Sequence, residues 1–213
     1  MSKHTPPRTR VARRGMRAVA RKALPPVVLA VALGALILAD RAGVFGRRPA
    51  DDRQTYDGRE VRVVRVHDGD TFVVDVPDGP KDHTDVRFWG VDTPEVAHGD
   101  RPGMHFGPEA AAFVRELCEG KTVRLELEPG RDTRDRKWNR LLAWVYLPDG
   151  RLLNRMLVER GYGYADPRFD HERSREFHTL QKRAMRDGRG LWQDVRPEDL
   201  PAYYRNALEL PED

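Results

Sequence analysis

The chain has a single cysteine among its 213 residues, Cys118. No internal disulfide can form, so an oxidising compartment is allowed but is not indicated by the cysteine content. Cys118 ends the helix-like stretch 113–118, and no catalytic motif surrounds it. We therefore interpret Cys118 as a small buried hydrophobic residue, and a catalytic thiol is disfavoured.

Histidines at metal-ligand spacing are also lacking. The pattern of His67, His83, His98 and His105 does not match a zinc site. The chain has no internal repeat and no long low-complexity tract, which argues against repeat architectures. With 39% hydrophobic and 34% charged residues, the composition indicates one folded domain with extensions and a highly charged surface.

Acidic residues are absent from positions 1–22, which carry eight lysines and arginines. Subtracting these eight charges from the formal net charge of +4 leaves −4 for the rest of the chain. The positive balance therefore belongs to the N-terminal arm alone. Attraction of the folded part to a polyanion must come from local patches of charge.

The N-terminal region divides into three parts. A basic arm, 1–23, precedes a segment at 24–41 that contains an unbroken apolar run, and residues 42–58 lack periodicity and are typical of a linker. The apolar run is intermediate between a secretory signal and a membrane-spanning helix. We expect an uncleaved signal anchor, with the arm in the cytoplasm and the following chain outside it. Secretion after cleavage is the alternative.

Residues 59–193 show the patterns of a small α+β domain. Five β-branched or alternating runs predict strands at 61–66, 71–76, 85–91, 122–128 and 141–147. Helical patterns cover 107–119, 152–160 and 171–186. This order predicts a five-stranded β-barrel of the OB-fold type with about three packed helices. Residues 194–213 form a C-terminal extension, in which 200–208 could make a short helix.

Two acidic stretches stand at the ends of predicted strands. Residues 68–71 read Asp-Gly-Asp-Thr, residues 91–95 read Val-Asp-Thr-Pro-Glu, and Arg87 precedes the second stretch. Carboxylates supply the hard oxygen ligands that divalent cations take, and a guanidinium can bind two phosphate oxygens at once. The stretches can thus surround one small volume with the groups that bind a divalent cation and cut a phosphodiester.

Further motifs follow in a recognisable order. Residues 106–110 read Phe-Gly-Pro-Glu-Ala, Arg140 precedes the strand pattern 142–146, and Gly-Arg-Gly-Leu-Trp closes the domain at 188–192. Together with the two acidic stretches, they make the chain similar to the staphylococcal nuclease family, also called thermonucleases, from about residue 61 to residue 192. The order and spacing of the motifs carry this resemblance.

The resemblance implies a Ca²⁺ site held by the side chains of Asp70 and Asp92 and by the carbonyl oxygen of Thr93. A site with so few protein ligands leaves room for water and a phosphate oxygen.

The resemblance also implies three catalytic residues. Glu95 would orient or deprotonate the attacking water, and Arg87 and Arg140 would bind the phosphate and offset its charge. Before Arg140 the family usually carries Asp, Lys, Tyr and Gly, whereas residues 136–139 read Arg-Lys-Trp-Asn here. Asn139 can adopt the left-handed turn that glycine would take.

A basic stretch near Arg140 is a candidate nucleic-acid surface. Arg136 and Lys137 can attract a phosphate backbone, and Trp138 can stack on a base. Tyr162 and Tyr164 lie where the family places its base-stacking aromatic residues, so they are further candidates.

These features predict a Ca²⁺-dependent nuclease for DNA and RNA, with a preference for single-stranded or frayed substrates and little sequence preference. By family resemblance, the attack of water leaves 3′-phosphate ends. We expect a monomer that contacts the membrane through its N-terminal segment. The alternative is a non-catalytic OB-fold module that binds nucleic acid or protein at the membrane. The presence of all five acidic and arginine side chains of the motif argues against that alternative.

Overall fold

The computed structural model describes residues 51–205. The predicted basic arm, the predicted signal anchor and most of the predicted linker lie outside these residues, as do positions 206–213 of the extension. Within residues 51–205, no helix combines the length and the apolar character needed to cross a bilayer.

Five strands close into a barrel. They are β1 (Glu60–Val66), β2 (Thr71–Val74), β3 (Thr84–Phe88), β5 (Thr122–Glu126) and β6 (Leu141–Tyr146). The spatial order is β1-β2-β3-β6-β5, and β3 and β6 are parallel whereas the other pairs are antiparallel. Closure pairs the edges that an open sheet would expose. The predicted five-stranded barrel is confirmed.

The barrel interior is filled by the apolar residues of the alternating patterns. In β1, Val61, Val63 and Val66 are buried, whereas the residues between them are exposed. Phe72 and Phe88 meet edge to face in the centre, with ring centroids 5.0 Å apart. Burying each such side chain contributes about 1.5–3 kcal/mol.

Within the described residues, three helices of eight or more residues pack on the barrel, as predicted. They are α2 (Gly107–Cys118), α3 (Leu153–Arg160) and α4 (Ser174–Arg186). Gly161 ends α3 with a φ of 73°, which suits a residue without a Cβ. Cys118 is fully buried at the end of α2, and burial raises the pKa of its thiol to about 12. Its interpretation as a core residue is confirmed.

The described part of the predicted linker is folded, so the linker prediction is wrong there. Residues Asp52–Tyr56 form a short helix, α1. Tyr56 is 2% exposed, and its hydroxyl lies 2.8 Å from Oγ1 of Thr84. Asp52 forms a salt bridge of 2.6 Å with Arg134. One buried aromatic ring and one ion pair hold a segment too short to show helical periodicity.

Two short strands form a second, smaller sheet beside the barrel. Strand β4 (Val91–Asp92) runs antiparallel to β7 (Tyr164–Ala165), and Asp92 is the register partner of Tyr164. The predicted third strand, 85–91, is therefore divided between β3 and β4. Gly90, which separates them, has a φ of 69°, and a Cβ there would lie 2.6 Å from Nε2 of His171.

The C-terminal extension packs on the domain as far as the structure describes it. Two 3₁₀ turns, Gly190–Gln193 and Pro197–Asp199, lead into the short helix α5 (Ala202–Arg205). Leu200 and Tyr204 are buried in a second apolar cluster with Tyr164 and Trp192. This cluster joins the extension to the sheet that carries Asp92.

Candidate active site

A cavity of about 560 Å³ gathers most of the side chains that the sequence singles out. The residues that line it lie just before β2, in β3, in and after β4, and in the loops before β6 and after β7. The lining residues are Asp70, Arg87, Asp92, Glu95, Asp135, Arg136, Lys137, Trp138, Arg140, Arg168 and Phe169. The structure thus brings together the acids and arginines of motifs that are far apart in the chain.

Asp70 is held by its neighbours on both carboxylate oxygens. It is 5% exposed, it accepts hydrogen bonds from Oγ1 of Thr71 (2.9 Å) and from the backbone N–H of Thr93 (2.8 Å), and it pairs with Arg87. A Cβ at Gly69 would lie 2.8 Å from Oγ1 of Thr93. The glycine in the Asp-Gly-Asp turn therefore allows Asp70 to approach Thr93.

Arg87 joins the two predicted metal ligands. Its register partner in β2 is Thr71, next to Asp70, and its guanidinium forms salt bridges with Asp70 and Asp92. Burial disfavours the charged form of Arg87, but the carboxylates of Asp70 and Asp92 outweigh it and raise its pKa further. Removing one partner of such a buried pair costs about 3–5 kcal/mol.

The site has more acids than Arg87 can neutralise. Burial raises the pKa of Asp70 to about 6, although Arg87 acts against this shift. Burial also raises the pKa values of Asp68 and Asp92. Several carboxylates in one buried volume favour a further positive charge, either a proton or a cation.

Glu95 is exposed at the cavity, but its backbone is tightly fixed. The N–H of Met104 donates to the carbonyl oxygen of Glu95 at 2.8 Å. A Cβ at Gly107 would lie 2.2 Å from the same oxygen, so the first residue of α2 must be glycine. Partial desolvation and the negative charges of Asp70 and Asp92 raise the pKa of Glu95.

Arg140 is oriented by an acidic residue, Asp135, that the sequence analysis did not single out. Nε of Arg140 donates to Asp135 at 2.7 Å, and the other oxygen of that carboxylate accepts from the N–H groups of Lys137 and Trp138. Asp135 lies one position before the place where the family usually carries its acid. Asn139 has a φ of 56°, which confirms the predicted left-handed turn. A guanidinium nitrogen of Arg140 also lies 3.2 Å from Oγ1 of Thr71.

The candidate nucleic-acid residues separate into two groups. Arg136, Lys137 and Trp138 are exposed and line the cavity, and Trp138 is 58% exposed. Tyr162 stacks on Phe113 with centroids 4.2 Å apart and is half-buried. Tyr164 is 1% exposed in the second apolar cluster, so its ring cannot stack on a base and its assignment is corrected.

Two further residues, Arg168 and Tyr203, reach Asp92 without having been predicted. Arg168 lies 3.2 Å from Oδ1 of Asp92 and 2.6 Å from the buried carboxylate of Asp166. The hydroxyl of Tyr203 donates to Oδ2 of Asp92. No motif or periodic pattern marks these residues, because tertiary packing alone brings them to the site.

Comparison with known proteins agrees with this geometry. The family model described as "Staphylococcal nuclease homologue" matches residues 85–194. This chain belongs to the staphylococcal nuclease family. It is 32% identical to a thermonuclease of Staphylococcus intermedius over 170 residues, which cover 78% of this chain and 95% of that protein.

Two other family relatives show similar identity. A thermonuclease of Staphylococcus hyicus is 32% identical over 66% of this chain and 77% of its own length. An uncharacterized endonuclease of Escherichia coli is 32% identical over 64% of this chain and 78% of its own length.

The donor atoms of this family member suit a hard divalent cation. Within residues 51–205, no three side chains of His, Cys, Asp or Glu are grouped so that they could hold an ion unaided. A cation shared by Asp70 and Asp92 would therefore need backbone, water or phosphate oxygens as well. Ca²⁺ accepts such mixed oxygen ligands, so the residues present fit this ion.

A larger cavity of about 750 Å³ is a poor alternative site for a polyanion. Half of its lining residues are acids, and its one basic residue is Arg173. Its carboxylates would repel phosphate groups. They belong to Asp57, Glu126, Glu128, Glu172 and Glu176.

Proposed function

We propose that this chain is a Ca²⁺-dependent nuclease that hydrolyses phosphodiester bonds in DNA and RNA with little sequence preference and leaves 3′-phosphate ends. As a hydrolase of the staphylococcal nuclease family, it acts through the cavity described above. One observation carries the proposal: buried Arg87 contacts both Asp70 and Asp92, in a cavity that Glu95 and Arg140 also line.

Asp70, Asp92 and the carbonyl oxygen of Thr93 are the residues that would hold Ca²⁺. Bound there, the ion would supply positive charge that polarises the phosphate. Burial raises the pKa values of Asp70 and Asp92, and a bound cation would stabilise their charged forms, which supports that assignment.

Glu95 acts as the general base in this proposal. It accepts a proton from the attacking water, and a raised pKa makes a carboxylate a better proton acceptor. Its side chain is exposed at the cavity, where water reaches it.

The two arginines bind the phosphate. Arg140 is held at Nε by Asp135, and its guanidinium also contacts Thr71. A fixed guanidinium loses less conformational freedom on binding two phosphate oxygens, and it stabilises the charge that develops in the transition state. Arg87 supplies the second positive charge from its position between the two aspartates.

Substrate selection follows from the loop before β6. Arg136 and Lys137 offer charge to the phosphate backbone, and Trp138 offers an exposed ring to a base. Backbone charge and stacking discriminate little between sequences, but they require accessible bases. We therefore propose single-stranded or frayed DNA and RNA as the preferred substrates.

The cellular setting remains a proposal from the sequence. Segment 24–41 has the apolar run of a signal anchor, and it lies outside the described residues. We propose that the nuclease domain acts as a monomer outside the cytoplasm, either anchored in the membrane or secreted after cleavage.

Substitution of the proposed base tests the function. Glu95→Gln keeps the size of the side chain but removes the proton acceptor, so the cleavage rate should fall by about 10²–10⁴-fold. Glu116→Gln, at an exposed position of α2, is the matched control and should cleave at the wild-type rate. A Glu95→Gln protein that keeps the full rate would refute the assignment.

A further inference from the structure

The match to the family model ends at residue 194, and the C-terminal extension follows it in the chain. This extension nevertheless contacts the active site. Its residue Tyr203 donates a hydrogen bond to Oδ2 of Asp92. The two residues are 111 positions apart in the chain. This contact therefore belongs to the folded extension and not to the local geometry of β4.

The extension is anchored next to the strand that carries Asp92. Tyr204 is 2% exposed, and its ring lies 4.6 Å from that of Tyr164. Tyr164 is in turn the register partner of Asp92 in the second sheet. Leu200 is buried in the same cluster. One small core thus fixes both the backbone of Asp92 and the helix that presents Tyr203.

A second side chain completes the support of Asp92. The guanidinium of Arg168 stacks over the ring of Tyr203 at 3.9 Å and lies 3.2 Å from Oδ1 of Asp92. Its charge is balanced by Asp166, whose side chain is fully buried. Arg87 and Arg168 therefore contact one oxygen of Asp92, and Tyr203 contacts the other.

The two predicted metal ligands differ in what holds them. Asp70 is held by Thr71, Arg87 and Thr93, which all belong to the region that carries the sequence motifs. For Asp92, by contrast, the described contact at Oδ2 comes from the extension. Without that contact, a carboxylate bound through Oδ1 alone can rotate about its terminal torsion, which is broad.

We propose that Tyr203 is a positioning residue for Asp92, acting together with Arg168 to orient that carboxylate for cation binding. The proposal rests on the function proposed above. Hydrogen bonds to ligating carboxylates fix their orientation, and their loss typically reduces metal affinity by about 10–100-fold. The extension would thereby supply part of the support for the metal site.

Direct measurement of Ca²⁺ binding tests this role. Isothermal titration calorimetry on the full chain should show about 10–100-fold weaker Ca²⁺ binding for Tyr203→Phe than for the wild type. Phenylalanine keeps the ring over Arg168, so the substitution removes only the hydroxyl. Tyr204→Phe removes a hydroxyl from the adjacent residue, which faces the apolar cluster, and should leave the affinity unchanged.

The outcomes distinguish this inference from the proposed function. A wild-type chain that binds no Ca²⁺ would refute the proposed function and the inference with it. If the wild type binds and Tyr203→Phe binds equally well, the inference alone fails. Tighter binding by Tyr203→Phe would also overturn it, because the hydroxyl would then compete with the ion. Equal losses of affinity and thermal stability in both variants would indicate a merely structural role and contradict it.

Discussion

Replacing Gly107 by alanine tests how the fold positions Glu95. The new Cβ would lie 2.2 Å from the carbonyl oxygen of Glu95 and 3.2 Å from that of Pro94. Carbon contacts settle at about 3.5 Å, so the Glu95 loop or the start of α2 must move by about 1 Å. A misplacement of this size can cost about 100-fold in rate, which is about 2.7 kcal/mol of transition-state stabilisation. Overpacking should also cost about 1–3 kcal/mol of stability.

The assay compares kcat on single-stranded DNA with the free energy of unfolding in urea. Gly120→Ala is the control, because Gly120 has a φ of 74° and open space around its Cβ position. A left-handed alanine costs about 1–2 kcal/mol, so this variant should lose comparable stability and keep its kcat. A folded Gly107→Ala protein with wild-type kcat would refute the reasoning, as would an equal loss of kcat in Gly120→Ala.

Three other predictions concern the neighbouring groups. Asp135→Asn removes the charge that orients Arg140, so kcat should fall about 10–100-fold, by analogy with the loss of a residue that orients a metal ligand. An unchanged kcat would show that Arg140 is positioned otherwise. Trp138→Ala should weaken the binding of single-stranded DNA by about 1–3 kcal/mol in a fluorescence titration, with an unchanged melting temperature, because the ring is 58% exposed. Burial lowers the pKa of His171 in the folded protein below 6.5, so this imidazole takes up a proton more readily in the unfolded chain. Stability should therefore fall as the pH drops through about 6.5, and the fall should be smaller in His171→Gln when urea denaturation is followed at several pH values.

The barrel could be predicted because its strands are long enough to show a pattern. The alternation in β5 and the β-branched residues of β1 indicate one buried face each, and a glycine ends the helix α3 as expected. Strands β4 and β7 have two residues each, too few to show an alternation, and helix α1 has five, too few to show a helical repeat. The contacts of these segments with the rest of the domain determine their structure.

The candidate site was predictable as far as its motifs extend. Asp70, Arg87 and Asp92 follow from charged residues in and beside the strand patterns, and Glu95 and Arg140 from the resemblance to the staphylococcal nuclease family. The structure places all five at one cavity. The supporting contacts were not predictable, because they join residues by tertiary packing. Tyr203 is the clearest case. Its neighbour Tyr204 is buried, and this packing places the hydroxyl of Tyr203 against Asp92.

Burial also decided which aromatic residues can face a substrate. Tyr164 and Trp138 are both large aromatic residues near the motif, yet one is 1% exposed and the other 58% exposed. Both have arginines within four positions on either side, so neighbouring charge does not separate them. The difference arises because Tyr164 lies in the small sheet that the C-terminal extension covers.

Metal-dependent digestion with end-group analysis tests the central claim most directly. The full chain would be incubated with single-stranded DNA and with RNA, in Ca²⁺ and in Ca²⁺ with excess chelator. We predict cleavage of both substrates that stops with the chelator and leaves 3′-phosphate ends. Absence of cleavage with Ca²⁺, Mg²⁺ or Mn²⁺, or fragments that end in 3′-hydroxyl groups, would contradict the account.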